Sequence, residues 1–542
     1  MSDFTEIIVN DHETSLKRHE VFFMDSEKLS KLKIFGFASL HDISAIKLSQ
    51  SIRFLSFDSI KTISDLSPLS YLDNLTVLEF KFFKDIPDFS KIKDAKITTL
   101  YLTPADGSNY EDLSFLKNFP FLQRLSLINF KNLNNIEHLT KLNLLEKIRF
   151  INCISLEDLE PLRALKKLNY IKIEKGFSVI SVDFLEELKN LKQLYFDYVL
   201  ATTGFEKIEK LSKLKSVNIT FSPVLKKLTI FKNCHEMENL KIISCGSLND
   251  IDGIENLKKL EQLTLKDNGP DSLKNLEPLK KLKNIKNLFL DGTHSEAIGD
   301  LRPLSELSQL TNVILRGNST NQDLTFFNSE ILKLKLYYFE ALKKLKGIER
   351  LSNISKIVIS NCKLLEDITP LANIRKLNSL EISSCPLITE LNPLSKLNNL
   401  TYLSFVNLPK LTNIHPLEGL KQIEKLCLYA IPLLKDLSPL AKLKNLKSLT
   451  IAWVPKITHI EHLAKLFKLE SLKLITCKNL NSISPLSKMR VKTLFIFGCL
   501  KVRDVHLLTT LETMEYVEID PEMAFQNVDE MYESDIKFKY IV

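Results

Sequence analysis

Cysteine and histidine are the residues of this 542-residue chain with the widest chemical range, and there are eight and ten of them. Cys153, Cys245, Cys362, Cys385 and Cys477 each follow a short Leu-x-Ile-like run. Leu408, Ile431 and Val454 stand at the same place in other runs, so the position reads as a small buried apolar slot that a free thiol fills well. If such runs stack about 4.8 Å apart, Cys362 and Cys385 come within disulfide reach. Zinc is the other chemistry to weigh. Cys234-His235 and His459-x-x-His462 lack the second ligand pair that makes a zinc motif. His235-Glu236-Met237-Glu238-Asn239 opens like a zinc-protease helix but has no histidine four residues after the first. The phosphate-binding GxxxxGK, the GxSxG elbow, HExxH and GxGxxG are all missing from the sequence. No catalytic, metal-binding or cofactor-binding residue is expected, and therefore no enzyme.

The elements that carry these residues repeat. Pro370, Pro393, Pro416, Pro439 and Pro485 recur at 23-residue intervals, with His462 filling the gap, and each is followed by Leu. A fixed period of this length marks a solenoid whose units bury their apolar faces only by stacking. In the unit Leu380–Leu400, Leu380-Glu381-Ile382 alternates at period two, which predicts a short strand. Apolar residues then fall at 388, 391, 394, 397 and 400, a spacing of three that suits a 3₁₀-like return segment. Ser67, Thr369, Asn392, Ser438 and Ser484 precede a proline and are expected to cap that segment, with Pro at its first helical position.

This pattern resembles the leucine-rich-repeat family, and the stretches 63–80 (ISDLSPLSYLDNLTVLEF) and 365–382 (LEDITPLANIRKLNSLEI) resemble internalin-type repeats. The resemblance runs from about residue 30 to 520. It implies an α/β solenoid, a leucine-rich-repeat horseshoe with a parallel concave β-sheet and a convex side of 3₁₀ or short-helix segments. The strand phase runs from Leu55 to Val517 and includes Leu228. About 21–23 repeats are expected over 31–519, irregular near 219–250 and 315–350, with an N-terminal cap at 1–30 and a C-terminal cap at 520–542. Unlike internalins, the sequence shows no signal peptide, immunoglobulin-like segment or wall-anchoring tail, so a surface-invasion role does not carry over.

Composition agrees with this reading. Apolar residues make up 44% of the chain, enough for a continuous core, while 13 glycines leave little material for phosphate loops. The charge of +8 is spread through the repeats and reads as a solvated outer face, so nucleic acid is not an expected partner. A membrane span is not expected either, because no apolar run is long enough. The early acidic residues do not fit a secretory signal, which predicts a cytoplasmic protein with free thiols; the alternative is a host cell reached by secretion without a signal peptide.

Function should then lie on the sheet. The core takes both apolar residues of each Leu-x-Leu, leaving the middle residue and the last strand residue exposed. Toward the C-terminus these positions turn apolar and aromatic: Val406, Tyr429, Ile475, Phe495 and Phe497, with the single tryptophan, Trp453, one place further along. Aromatic anchors on a rigid surface are what protein interfaces are built around. The sequence therefore predicts a monomeric, non-enzymatic scaffold that binds a protein partner through these six residues. Alternatives are a bacterial effector acting inside a host cell, or an adaptor or regulatory subunit for a phosphatase or ubiquitin ligase.

Overall fold

The computed structural model describes residues 29–36, 39–60, 62–92, 95–292, 298–510, 513–520 and 537–540. Most of the expected N-terminal cap, including Val21–Met24, and the acidic part of the C-terminal cap, 521–536, lie outside the described residues. The chain forms two compact units, Met1–Ser272 and Leu273–Val542.

Both units are stacks of the same rung. Most strands have five residues with alternating burial, as in Lys147–Ile151 and Ser471–Ile475. In the first unit Lys31–Phe35 pairs in parallel with Phe54–Asp58, and the ladder continues through Tyr170–Glu174 and Gln193–Asp197 to Gln262–Lys266. The second unit runs from Asn287–Asp291 to Lys537–Tyr540. Equivalent leucines lie side by side, Leu380 against Leu403 and then Leu426, Leu449 and Leu472. A slip of one residue would turn all of them to solvent, so burial locks the register. These leucines are at most 3% exposed.

A parallel neighbour requires the chain to return along the outside. It does so in a 3₁₀ turn, such as Asn392–Lys396, Ser438–Lys442 or Ser484–Lys488. Proline is the second residue of these turns and not the first as expected; its preset φ still suits the first helical turn. The capping expectation needs correction. Ser67, Thr369 and Ser438 lie inside the turn, and the backbone N–H of each donates to the aspartate two residues earlier, Asp65, Asp367 and Asp436, at 2.8, 2.9 and 2.8 Å. Placing Pro second moves the cap role upstream.

Leu228 is likewise not a strand residue. It lies in the 3₁₀ turn Leu228–Phe231, within the every-third-residue run Leu225, Leu228, Phe231, Cys234. Leu228-Thr229-Ile230 imitates a strand only locally. The strands on either side, Ser216–Thr220 and Asn239–Ile243, pair in regular register. Further along, Val313 pairs with Leu334, only 21 residues later in sequence. Buried Asn318, at the start of that short rung, ties it to the preceding rung by donating its amide to the carbonyls of Ile298 and Gly299 at 2.9 and 3.1 Å.

The residue just after the strand takes a left-handed conformation again and again, at Asn129 (φ 62°), Asn152 (56°), Tyr198 (52°), Asn407 (54°) and Trp453 (55°). That conformation costs a residue with a Cβ roughly 1–2 kcal/mol. It persists because the N–H at this point extends the ladder, as Trp453 does to the Ile475 carbonyl at 2.7 Å. It also turns the following residue, Cys385, Ile431, Val454 or Cys477, into the core.

Candidate protein-interaction surface

Strand register places the last residues of five neighbouring strands of the second unit in a single file: Val406, Tyr429, Ala452, Ile475 and Phe497. Neighbours in such a file lie about 4.8 Å apart. Tyr429 is 39% exposed, while Val406, Ile475 and Phe497 are half-buried against their neighbours. Ala452 is buried, and the next residue, Trp453, sits in a left-handed conformation and is 50% exposed. Phe495 lies one file over, opposite Lys473. The Lys473 ammonium sits 4.3 Å from its ring centre, and Tyr516 packs at 5.7 Å on the other side.

All six residues therefore lie on the sheet side of the second unit, but unequally. Tyr429 and Trp453 offer free aromatic area, whereas Phe495 is already held by a cation and a ring. The same file is polar earlier in this unit. Ser383 donates to Ser360 at 2.7 Å. The Arg316 guanidinium lies over the rings of Tyr337 and Tyr338 at 5.0 and 5.8 Å, with its Nε 3.9 Å from the buried Asp291 carboxylate. Burial raises the Tyr337 hydroxyl above its ordinary pKa, and Glu381 adds to the shift.

The first unit carries an aromatic group that the strand rule misses. Tyr198 and Phe221 occupy the left-handed position of adjacent rungs and stack at 4.0 Å with an interplanar angle of 15°, and Phe177 meets Tyr198 edge-on at 5.6 Å. The signal lies one residue past each strand, a position that the sequence reading uses only for Trp453. Beside this group Glu174 and Asp197 stand opposite each other on paired strands. Burial, with repulsion from Glu174, holds the Asp197 carboxyl above its usual range.

Seven of the eight thiols are buried, and Cys427, in the middle of its strand, is half-buried. Burial pushes Cys153 and Cys234 up to about 12 and Cys245 up to about 11. A thiol hydrogen bond with Cys385, followed by burial, raises Cys362 further, and Cys499 does the same for Cys477. All eight cysteines are free. Thiols held protonated in a core are poor nucleophiles and poor ligands. Cys234 points into the core while its neighbour His235 is exposed, so the two side chains do not converge. Among the described residues no three of His, Cys, Asp and Glu gather to hold a metal ion. No helix among them is long and apolar enough to cross a membrane.

No family model matches the sequence and no curated protein is similar to it. Solved structures are similar in fold. One is the TLR13–ssRNA13 complex, at 14% identity over 95% of this chain and 82% of that one, with a TM-score of 0.50. Another is a Leptospira interrogans leucine-rich-repeat protein, at 17% identity over 85% and 100%, with a TM-score of 0.45. The functional domain of the internalin InlJ from Listeria monocytogenes, which includes a cysteine ladder, is 14% identical over 75% and 76%, with a TM-score of 0.42.

Proposed function

We propose that this chain, whose fold is the leucine-rich repeat with internalin-like rungs, is a non-enzymatic interaction scaffold that holds a protein partner against the sheet of its second unit. The observation that carries this reading is the file from Val406 to Phe497, in which register lines up apolar side chains on consecutive strands beside the exposed Tyr429 and Trp453. A rigid sheet loses little conformational freedom on binding, and exposed Tyr and Trp give large contact area from side chains with few rotors. The partner is a protein offering an apolar or aromatic surface of its own.

The test is affinity purification of the full chain from its native source, followed by mass spectrometry, run in parallel with Tyr429→Ala/Trp453→Ala/Phe497→Ala. A protein captured by the natural sequence and lost from the triple variant, with the melting temperature little changed, supports the reading. If capture survives the substitutions, the surface lies elsewhere. A collapse of the fold would mean that these aromatics serve as core.

A further inference from the structure

The lysines that look scattered in the sequence become contiguous when the rungs stack. Residues 391–503 contain eighteen Lys and Arg against five Asp and Glu, an excess larger than the +8 of the whole chain. Lys396, Lys442, Lys465 and Lys488 each end a 3₁₀ turn, at the same rung position. Successive turns pack directly on one another, so these residues form one edge. All four are exposed, and none makes an ion pair with the described residues.

Many lysines of the first unit's outer turns are neutralised by glutamate, although Lys213 donates to the Asn190 side chain at 2.8 Å. In the first unit Lys166 meets Glu187 at 2.7 Å, Lys232 meets Glu209 at 3.0 Å, Lys259 meets Glu236 at 2.7 Å, and Lys210 pairs with Glu186. In the basic segment Lys447 pairs with Glu424 and Lys492 with Glu515, at 3.0 and 3.1 Å, but other lysines bond an uncharged oxygen of a neighbouring rung. Lys468 donates to the Asn445 side chain at 2.8 Å, and Lys444 to the Lys465 carbonyl at 3.0 Å. These bonds order the ammonium groups without cancelling their charge. The acids nearby are few. Glu424 pairs with Lys447, Glu418 and Asp436 both face His415, and Glu461 and Glu470 stand exposed.

Phe467 sits within this edge. It is 68% exposed, the highest value among the large exposed apolar residues described, with the Lys444 ammonium 5.4 Å from its ring centre. We propose that this edge docks the protein on an anionic lipid surface, with the lysines among the headgroups and Phe467 inserted at the interface. Clusters of lysine combined with one inserting aromatic supply the two weak signals that hold a peripheral protein on such a surface. Nucleic acid is the weaker fit. A single-stranded chain calls for a row of stacking aromatics, and base reading calls for arginine or amide forks, whereas this edge has one ring and is mostly lysine.

The experiment is co-sedimentation of the full chain with vesicles of phosphatidylcholine, alone or with about one third phosphatidylserine, in about 0.1 M salt. Binding is expected only to the anionic vesicles and is expected to fade as salt approaches about 1 M. Lys442→Glu/Lys465→Glu/Lys468→Glu should weaken it by about a hundredfold or more, since each surface lysine is worth roughly fivefold. Phe467→Ser should weaken it about tenfold. The matched reversal Lys141→Glu/Lys189→Glu/Lys213→Glu in the first unit removes the same charge and should leave binding unchanged. All these positions are exposed, so thermal melting should confirm that each variant is folded. Equal loss in the two reversal sets would overturn the proposal, as would no binding to anionic vesicles. Retention of DNA without vesicle binding would overturn it too and assign the edge to nucleic acid.

Discussion

The two units use one core and two surfaces. Both bury the same ladder of apolar strand residues, Ile171 and Leu194 in the first unit and Leu426 and Leu449 in the second. Their outer turns differ in how neighbouring rungs are tied: several Lys–Glu pairs and one Lys–Asn bond, from Lys213, in the first unit, against Lys–Asn and Lys–carbonyl bonds beside the pairs of Lys447 and Lys492 with glutamate in the C-terminal half of the second. Their strand ends differ as well. Strands 170–220 of the first unit end in Glu174, Asp197 and Thr220, although Ile128 and Ile151 precede them in the file, while strands 402–475 of the second end in Val406, Tyr429, Ala452 and Ile475. Burial constrains only part of each rung, so the remaining positions are free to diverge. Any function of this chain is written in those positions.

The comparison can be broken first at the core. Leu194→Ala and Leu449→Ala, one in each unit and both fully buried, should each cost about 2–5 kcal/mol in chemical denaturation. A much smaller loss in one unit would show that the two cores are not equivalent. The surfaces come next. Tyr429→Ala with Trp453→Ala should lower partner affinity by about 2 kcal/mol or more in calorimetry. Tyr198→Ala with Phe221→Ala, aromatics at the left-handed position that Trp453 also occupies, should leave that affinity unchanged. If the first-unit pair matters more, the interface belongs there.

Backbone strain gives a finer tool. Trp453→Gly removes the aromatic from a left-handed site, and the strain it relieves offsets the entropy that glycine adds to the unfolded chain. Its melting temperature should hold while partner capture falls, which separates binding from folding. Acid should affect both units through the turn caps. Hydrogen bonds from Ser67 and Thr369 hold Asp65 and Asp367 below the usual aspartate range, and the Ser438 backbone does the same for Asp436. A carboxyl lowered in the folded state stabilises above its unfolded pKa, and that contribution disappears as pH falls through the folded value. Melting temperature should thus drop below about pH 4, and less steeply in Asp367→Asn. The smallest effect concerns the ties between rungs. Glu187→Gln should lower the first unit's melting temperature slightly at low salt and not at all near 1 M. Asn445→Asp, by contrast, should pair Lys468 and weaken vesicle binding.

Much of this was legible in the chain. The 23-residue proline series and the Leu-x-Leu runs fix strand position, because only one phase buries every leucine. The same rule placed Val406, Tyr429, Ile475 and Phe497 on the sheet. Leu228 misled because Leu-Thr-Ile has the strand pattern over three residues, and only the flanking strands show which phase wins. Ser67 misled because the cap depends on where the turn begins, which a Ser-Pro pair leaves open by two residues. Tyr198 and Phe221 were passed over because their outward aim comes from a positive φ that no side-chain pattern announces.

By itself the sequence determined the repeat, the buried slots and the order of chemical character along the chain, since periodicity and burial are local consequences of residue type. Tertiary structure alone decided what lies beside what. Stacking converts residues 23 apart into neighbours, so lysines spread along the chain merge into one edge and five separate strand ends become one apolar file. Whether a lysine there meets a glutamate or an asparagine is a contact between rungs, and that contact sets whether its charge is spent within the protein or remains available to a partner.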